Sequence, residues 1–296
     1  MGTDVAVLGL GLMGATLARH LLDGGHTVVG YDPESDRRTE HTDRGGVSVE
    51  SVGEAVSGAD RVVLSLPDSS VMLAVCAEIV AAKPSPVLII DTTTGAPQDS
   101  IAAAALLADN GHAYVDATVS GNAAQAAQKD VIFMIGGDDH NIEVASELLG
   151  PLARSVYPVG PVGAGSTAKL VVNHVLSINR AAVAEGLTVA EKSGLELGSM
   201  LEVLRDSAAY SKAMDIWGRR MVEGDHYPPA SRVRQSHKDS RLINDHAESV
   251  GASHALVEMV RQALVEAEDS GLADADNSSV MELMRRRAGI GRFQSR

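Results

Sequence analysis

Cysteine is nearly absent from these 296 residues: Cys76 stands alone. That excludes an intrachain disulfide framework and any zinc site built on several thiolates. Cys76 lies in the apolar run 71–80, where a buried, inert thiol is expected. Aromatic side chains make up 3% of the chain, with one Trp and two Phe, so platforms for stacking bases are scarce. Positive charge is also short. Lys and Arg number 25 against 39 Asp and Glu, for a net charge of −14, so the basic face that grips nucleic-acid phosphates is missing. The one basic cluster, Arg285, Arg286 and Arg287 with Arg292 and Arg296, reads as a solvated tail. No run of about 20 residues is apolar and free of charge, so no membrane span is expected. Met1-Gly2-Thr3-Asp4 lacks a basic opening, so no secretory leader is expected either. A cytoplasmic protein without nucleic-acid or membrane partners follows as the expectation.

What is present is a composition suited to packing: 45% hydrophobic and 22% charged, with length for one large or two medium domains. In the first half, Val/Ile/Leu runs at 4–8, 27–31, 61–66, 87–91, 113–116, 131–135 and 155–159 alternate with helical stretches such as 11–22 and 99–109. Strands covered on both faces read as continuous apolar runs, so the pattern predicts an α/β domain with a mainly parallel sheet. The pattern changes at Pro158-Val159-Gly160-Pro161. Beyond it everything reads as helix: first a long apolar one from Ser166 to about Glu191, then 196–208, 212–222, 238–248 and 254–270. Apolar on most faces, the long helix suits a place between two domains. The expected division is 1–162, a dinucleotide-binding Rossmann-type domain, and 163–296, an all-helical substrate and oligomerisation domain.

The first strand runs into Gly9-Leu10-Gly11-Leu12-Met13-Gly14 and then into helix. A G-x-G-x-x-G at a strand-to-helix turn is a dinucleotide fingerprint. Gly9 permits the tight turn, Gly11 lets backbone approach a pyrophosphate, and Gly14 lets helix and strand pack closely. Gly9, Gly11, Leu12, Met13 and Gly14 are therefore expected at the cofactor. Asp32 ends the second strand 18 residues after Gly14, placed to accept hydrogen bonds from ribose hydroxyls and to repel a 2′-phosphate. NAD is expected over NADP, although Arg37 and Arg38 could curl back to a phosphate. Two further loops follow strand ends, where ligands of open α/β sheets bind: Leu66-Pro67-Asp68-Ser69-Ser70 and Asp91-Thr92-Thr93-Thr94-Gly95-Ala96-Pro97. Taken alone, both also read as capping and turn motifs.

Two segments carry candidate chemistry. In the first, Ser120-Gly121-Asn122 leads into a short helix and could hold a carboxylate through N–H groups and the serine hydroxyl. In the second, Lys169 and Asn173 lie four apart on one helix face. A partly desolvated lysine there could exchange protons near neutral pH, and the asparagine could hold a hydroxyl. By spacing alone, an Asn–Lys stripe on an ordinary helix is the simpler reading.

Taken together, these motifs resemble the β-hydroxyacid dehydrogenase family, over nearly the whole chain. The likeness rests on Gly9 to Gly14, Asp91-Thr92-Thr93-Thr94 with Pro97, Asp116 through Val119-Ser120-Gly121, Gly163-x-Gly165-x-x-x-Lys169-x-x-x-Asn173, and Lys238-Asp239. The resemblance implies a Rossmann domain, a long interdomain helix and an all-α domain, often dimeric or tetrameric. It implies hydride transfer between NAD(P) and a small β-hydroxy acid or its semialdehyde. Lys169 would be the acid/base, Asn173 the hydroxyl ligand, and Ser120 and Gly121 the carboxylate grip. Thr94 would lie beside the nicotinamide, and Lys238 would reach the cofactor. No metal is implied.

Departures from the family pattern bear on substrate. Thr118 and Asn122 replace frequent Pro and Gly, and Gln125 and Lys129 stand where Gly is common. Ser231-Arg232-Val233-Arg234-Gln235-Ser236-His237 replaces an apolar stretch that usually starts with Phe. Arg232 or Arg234 could pair with a second anionic group, though solvent-facing arginines are the plainer reading. Among competing functions, imine reductases generally lack a lysine at position 169. A non-catalytic nucleotide-binding module of the same fold would be expected to lose Lys169 and Asn173.

Overall fold

The computed structural model describes residues 4–82 and 85–291. Arg292 and Arg296 of the basic cluster lie outside the described residues. The chain divides into two compact units, residues 1–169 and 170–296.

The first unit is built on eight strands: β1 (Asp4–Leu8), β2 (Thr27–Tyr31), β3 (Val47–Ser48), β4 (Arg61–Leu64), β5 (Leu88–Asp91), β6 (Ala113–Ser120), β7 (Ile132–Gly136) and β8 (Ser155–Gly160). They form one sheet in the order β3-β2-β1-β4-β5-β6-β7-β8. Pairings among β1 to β6 are parallel. The expected parallel sheet is broken once, because β7 runs antiparallel to β6; β8 is then parallel to β7. Only a short helix at Ala123–Ala127 and its turns join β6 to β7, too little chain for the crossover that a parallel pair needs.

Strand side chains alternate between two faces, and each face has its own core. Val5, Val7, Val63 and Ile90 pack on one with Phe133 and Leu149. Ala6, Leu8, Val62, Leu64 and Ile89 pack on the other with Met72 and Ile79. Cys76 lies fully buried in the second core, and burial pushes its thiol up to about 12, as suits an inert hydrophobe.

Helices of this unit are α1 (Leu12–Asp23), α2 (Ser35–Asp43), α3 (Val52–Val56), α4 (Ser69–Ala82), α5 (Pro97–Ala108), α6 (Ala123–Ala127) and α7 (Asp139–Leu149). Four go beyond the sequence expectation: α2, α3, α4 and α7. Helix α4 falls on the apolar run 71–80, which the sequence expectation leaves without an element. In α2 the only buried residue is His41, so no apolar stripe announces it. Helices α3 and α7 are announced by caps: Ser51 accepts the Glu54 N–H and Asp138 the Asn141 N–H.

From β8 the chain enters α8 (Ala164–Lys192), 29 residues and about 43 Å at 1.5 Å per residue. Its first turns belong to the first unit and the rest to the second. The second unit adds α9 (Leu197–Asp206), α10 (Arg219–Glu223), α11 (Val233–Ser249), α12 (Ala255–Ala267) and α13 (Val280–Arg287), with π-helical turns at Met214–Gly218 and Glu268–Leu272. Its largest apolar cluster joins Val183 and Leu187 of α8 to Leu201, Trp217, Met221 and Met281. Helix α11 starts five residues earlier than expected, so the departing segment 233–237 is its first turns.

Candidate active site

The glycine turn is shaped by what a Cβ would strike. Gly9 has φ +93°, and a Cβ there would overlap the Ser65 carbonyl oxygen. A Cβ on Gly14 would overlap the Gly9 carbonyl oxygen, so helix α1 can sit on its own turn only with glycine there. Gly11 is different. A Cβ there would meet only the Arg37 Nη1, at 3.9 Å. That open approach to backbone suits a pyrophosphate, and the N-terminus of α1 lies beside it. Leu12 is exposed and Met13 half-buried on its first turn.

Asp32 is joined to this turn directly. Its Oδ2 accepts the Leu10 N–H at 2.8 Å, its Oδ1 accepts the Glu34 N–H at 3.0 Å, and Arg37 pairs with it at 3.2 Å. Arg38 instead bonds the carbonyl oxygens of Asp32 and Pro33 and pairs with Glu50. One of the two candidate arginines therefore stands at the Asp32 carboxylate.

The two loops beyond β4 and β5 are tied together. Leu66 donates its N–H to Thr93 Oγ1 at 3.2 Å, and Ser69 bonds Asp99. Pro67 is exposed and Thr94 half-buried. Asp68 caps α4 by accepting the Ser70 and Val71 N–H groups. Beneath them Asp91 accepts the Tyr114 hydroxyl at 2.8 Å and the Thr93 N–H at 2.9 Å. Burial drives its carboxyl up to about 6 against the pull of those bonds.

Asp116 fastens the start of α8. Its Oδ1 accepts the Gly163 N–H at 2.9 Å and its Oδ2 the Ser166 N–H at 2.7 Å. Thr118 donates its hydroxyl to the Gly165 carbonyl at 2.7 Å, and Ser166 meets Ser100 at 2.9 Å. A Cβ on Gly165 would overlap the Asp116 carbonyl oxygen. The Gly163-x-Gly165 motif is therefore the close docking of α8 on β6, and it fixes the helix one turn before half-buried Lys169.

At the end of β6, Ser120 is half-buried and Gly121 has φ +135°. Asn122 is half-buried and engages two of its groups within the loop. Its side chain accepts the Gln125 N–H at 2.9 Å, and its own N–H donates to Gln125 Oε1 at 3.1 Å. Two departures from the family pattern, Asn122 and Gln125, thus form a single capping box on α6. Lys129 has φ +59°, which explains glycine's frequency there in the family.

In the second unit, Asn173 donates Nδ2 to Asp239 Oδ2 at 3.1 Å, and Asp239 lies 3.7 Å from the Lys238 ammonium. An ionised carboxylate only accepts, so Asp239 turns the amide oxygen of Asn173 away from itself. Asp239 was legible in the Lys238-Asp239 motif, but its partner was not, because 66 residues separate the two. Arg232 and Arg234 both pair with Asp274, and their side chains are 57% and 55% exposed, which settles them as surface groups. His237 pairs with Glu268.

A family profile described as the NAD binding domain of 6-phosphogluconate dehydrogenase matches residues 4–160. A second, described as the NAD-binding domain of NADP-dependent 3-hydroxyisobutyrate dehydrogenase, matches residues 163–284. A probable 3-hydroxyisobutyrate dehydrogenase of Mycobacterium tuberculosis is 32% identical over 295 residues, covering 97% of this chain and 99% of that one. The chain belongs to the β-hydroxyacid dehydrogenase family. The 3-hydroxyisobutyrate dehydrogenase of Pseudomonas aeruginosa is 31% identical over 96% of this chain and 99% of its own. Among solved structures, the M. tuberculosis 3-hydroxyisobutyrate dehydrogenase with L-serine superposes with a TM-score of 0.89 at 31% identity, covering 96% of this chain and all of that one. An imine reductase from a Pseudomonas species shares the fold at 20% identity and a TM-score of 0.65, a likeness of fold alone. This β-hydroxyacid dehydrogenase is an NAD(P)-dependent oxidoreductase acting on the CH–OH group of small β-hydroxy acids.

Proposed function

We propose that Lys169 is the general acid/base of this reaction and Asn173 the ligand of the reacting hydroxyl. The observation that carries the reading is the anchoring of α8. Asp116 holds the Gly163 and Ser166 N–H groups, so the lysine one turn on is placed by a buried carboxylate rather than by a loop. Asp239 in turn orients the amide of Asn173 so that Oδ1 can accept the substrate O–H. A bound nicotinamide would supply the hydride acceptor, its C4, for the hydrogen on the alcohol carbon. The hydroxyl proton passes to Lys169 Nζ, and the oxygen keeps its electrons as the carbonyl of a semialdehyde or ketone. In reduction the ammonium returns the proton and stabilises charge growing on the oxygen. Ser120 and Gly121 hold the substrate carboxylate, and Asn122 shapes that loop through its capping box.

Gly9, Gly11, Leu12, Met13 and Gly14 would hold the dinucleotide, Asp32 would take its ribose, Leu66, Pro67 and Thr94 would line it, and Lys238 would be a further contact. The open backbone at Gly11 supports this. NAD is the preferred form because Asp32 opposes a 2′-phosphate. The Arg37 pair, half exposed and weakly held, leaves NADP as the slower cofactor. The functional division falls at 162/163, in the turn before α8, and the enzyme works as a cytoplasmic homodimer or homotetramer.

The deciding experiment is Lys169→Ala, assayed spectrophotometrically with small 3-hydroxy acids and their semialdehydes and by quenching of Trp217 fluorescence on dinucleotide addition. Loss of kcat by about 10²–10⁴-fold with the dinucleotide Kd unchanged is expected. In the same assay wild type shows the higher kcat/KM with NAD. Near-normal turnover by the variant would remove Lys169 from the chemistry.

A further inference from the structure

Asp32 is 2% exposed, and both its oxygens are engaged. Oδ2 accepts the Leu10 N–H at 2.8 Å and Oδ1 the Glu34 N–H at 3.0 Å. A single nitrogen then bridges the two: Arg37 Nη1 lies 3.2 Å from Oδ2 and 3.5 Å from Oδ1. An ionised carboxylate offers about four acceptor positions, so a ribose that is to donate hydroxyls to Asp32 has to take a place already filled. The two backbone bonds do not exchange, because they tie the glycine turn and the turn before α2 to the carboxylate. The guanidinium does. Its side chain is 50% exposed, and among the described residues its hydrogen bonds are these two, from one nitrogen. An ion pair held so loosely contributes little. Arg38 is the contrast. Its side chain is 16% exposed, and it bonds the Asp32 and Pro33 carbonyl oxygens and Glu50, as a tie of the turn.

Two facts say where a displaced guanidinium goes. The first is its neighbour. A Cβ on Gly11 would meet only Arg37 Nη1, at 3.9 Å, so the guanidinium stands over the same open backbone that suits a pyrophosphate. The second is its place in the helix. Arg37 is the third residue of α2, in the first turn, where the positive end of the helix dipole disfavours a cation. Moved off Asp32, it needs another anion, and the one that a dinucleotide brings to Gly11 is its pyrophosphate. A guanidinium suits that partner, because its forked N–H groups match phosphate oxygens.

We propose that Arg37 is a specificity-determining residue of the cofactor site that exchanges one anion for another: it pairs with Asp32 until ribose hydroxyls take that place, and then pairs with the pyrophosphate at Gly11. The exchange makes the site discriminate. A ligand with the ribose but no pyrophosphate, such as adenosine, has to break the Asp32 pair and gives the guanidinium no new partner. A dinucleotide breaks the same pair and replaces it. One arginine thus works against nucleosides and for dinucleotides at a single carboxylate. The role differs from a grip on a 2′-phosphate, which would serve NADP alone. The proposal rests on Asp32 and Gly11 marking the cofactor site.

The test is calorimetric titration of wild type, Arg37→Gln and Arg37→Lys with ADP-ribose, NAD and 2′-AMP, and with adenosine by displacement of ADP-ribose. Arg44→Gln, at an exposed arginine after the far end of α2, controls for net charge. In Arg37→Gln, adenosine should bind about 2- to 5-fold more tightly, because its competitor at Asp32 is gone. ADP-ribose and NAD should bind about 10-fold more weakly, having lost a charge-assisted bond. Arg37→Lys should fall between, 2′-AMP should not weaken, and Arg44→Gln should match wild type throughout. Adenosine and ADP-ribose shifting in the same direction, as damage to the turn would cause, overturns the exchange. So does unchanged binding of ADP-ribose. A loss confined to 2′-AMP assigns the guanidinium to a 2′-phosphate and overturns it too. If Gly11→Ala binds ADP-ribose as wild type does, the cofactor site lies elsewhere and both readings fall. If Gly11→Ala weakens ADP-ribose and Arg37→Gln does not, the exchange alone falls.

Discussion

At the scale of single residues, the cofactor motif contains glycines of two kinds. Gly14 is demanded by the fold, because any Cβ there would run into the Gly9 carbonyl; Gly11 is not, because a Cβ would meet only the tip of a flexible arginine. The two can be separated by experiment. Gly14→Ala should cost about 1–3 kcal/mol of stability and weaken dinucleotide binding through the distorted turn. Gly11→Ala should leave stability within about 0.5 kcal/mol. Its dinucleotide Kd should nevertheless rise by about tenfold to a hundredfold, since the added methyl occupies the pyrophosphate's approach. Thermal melts and fluorescence titrations of both variants check this. A Gly11→Ala enzyme that binds normally would move the pyrophosphate elsewhere. The glycine spacing was legible in sequence, as was the acidic residue 18 positions on. That Arg37 rather than Arg38 pairs with that acid was not, because both follow the same turn and only the winding of α2 separates them.

At the scale of elements, the end of β5 and the middle of β6 hold two buried acids with different tasks. Asp116 is a fastener: its two oxygens take two N–H groups at the start of α8, and burial still raises its carboxyl above the ordinary range. Asp91, raised to about 6 by burial, receives Tyr114 and Thr93. Its folded value lies above its unfolded value of 3.8, so the folded state holds the proton more tightly. Its stabilising contribution is therefore complete below pH 4 and is lost as pH rises through 6. Two units correspond to about 3 kcal/mol. Chemical denaturation of wild type and Asp91→Asn between pH 3.5 and about 7 should show wild type losing that much relative to the variant, with no further change above. A pH-independent offset between the two reports the Thr93 bond instead. A difference that stays flat throughout would mean an ordinary carboxyl. Most elements were readable from apolar runs and turn residues. The exceptions have physical causes: α2 buries little, and β7 reverses because its connection is short. The capping box of α6 was within reach of the sequence, Asn three residues before Gln, but the two were taken separately as departures from a pattern.

At the scale of the whole molecule, α8 shows a face that one chain leaves uncovered. Val171, Val175 and Val189 are each more than half exposed, with Ala182 between them, at helical spacing along one stripe. Leu256 and Met259 of α12 are likewise exposed. Apolar stripes of this length mark contact surfaces more often than solvated ones, and they support the proposed homo-oligomer. Val175→Glu should convert the oligomer seen by light scattering into monomer at micromolar concentration, since a charge would have to be buried at the contact. An unchanged mass would place the subunit contact on another face.

The sequence by itself determined the class of machine: a glycine turn between strand and helix, an acid at the end of the second strand, and a lysine and an asparagine four apart on a long helix. Those are local patterns, set by residues close enough along the chain to share a turn or a helical face. Tertiary structure alone decided which partners complete them. Asp116 reaches across 47 and 50 residues to fasten α8, Asp239 across 66 to orient Asn173, and Arg180 is left buried between α8 and α11 with a donor unspent. Sequence shows that an arginine is present; only packing shows that it is buried with one nitrogen, Nη2, left without a partner.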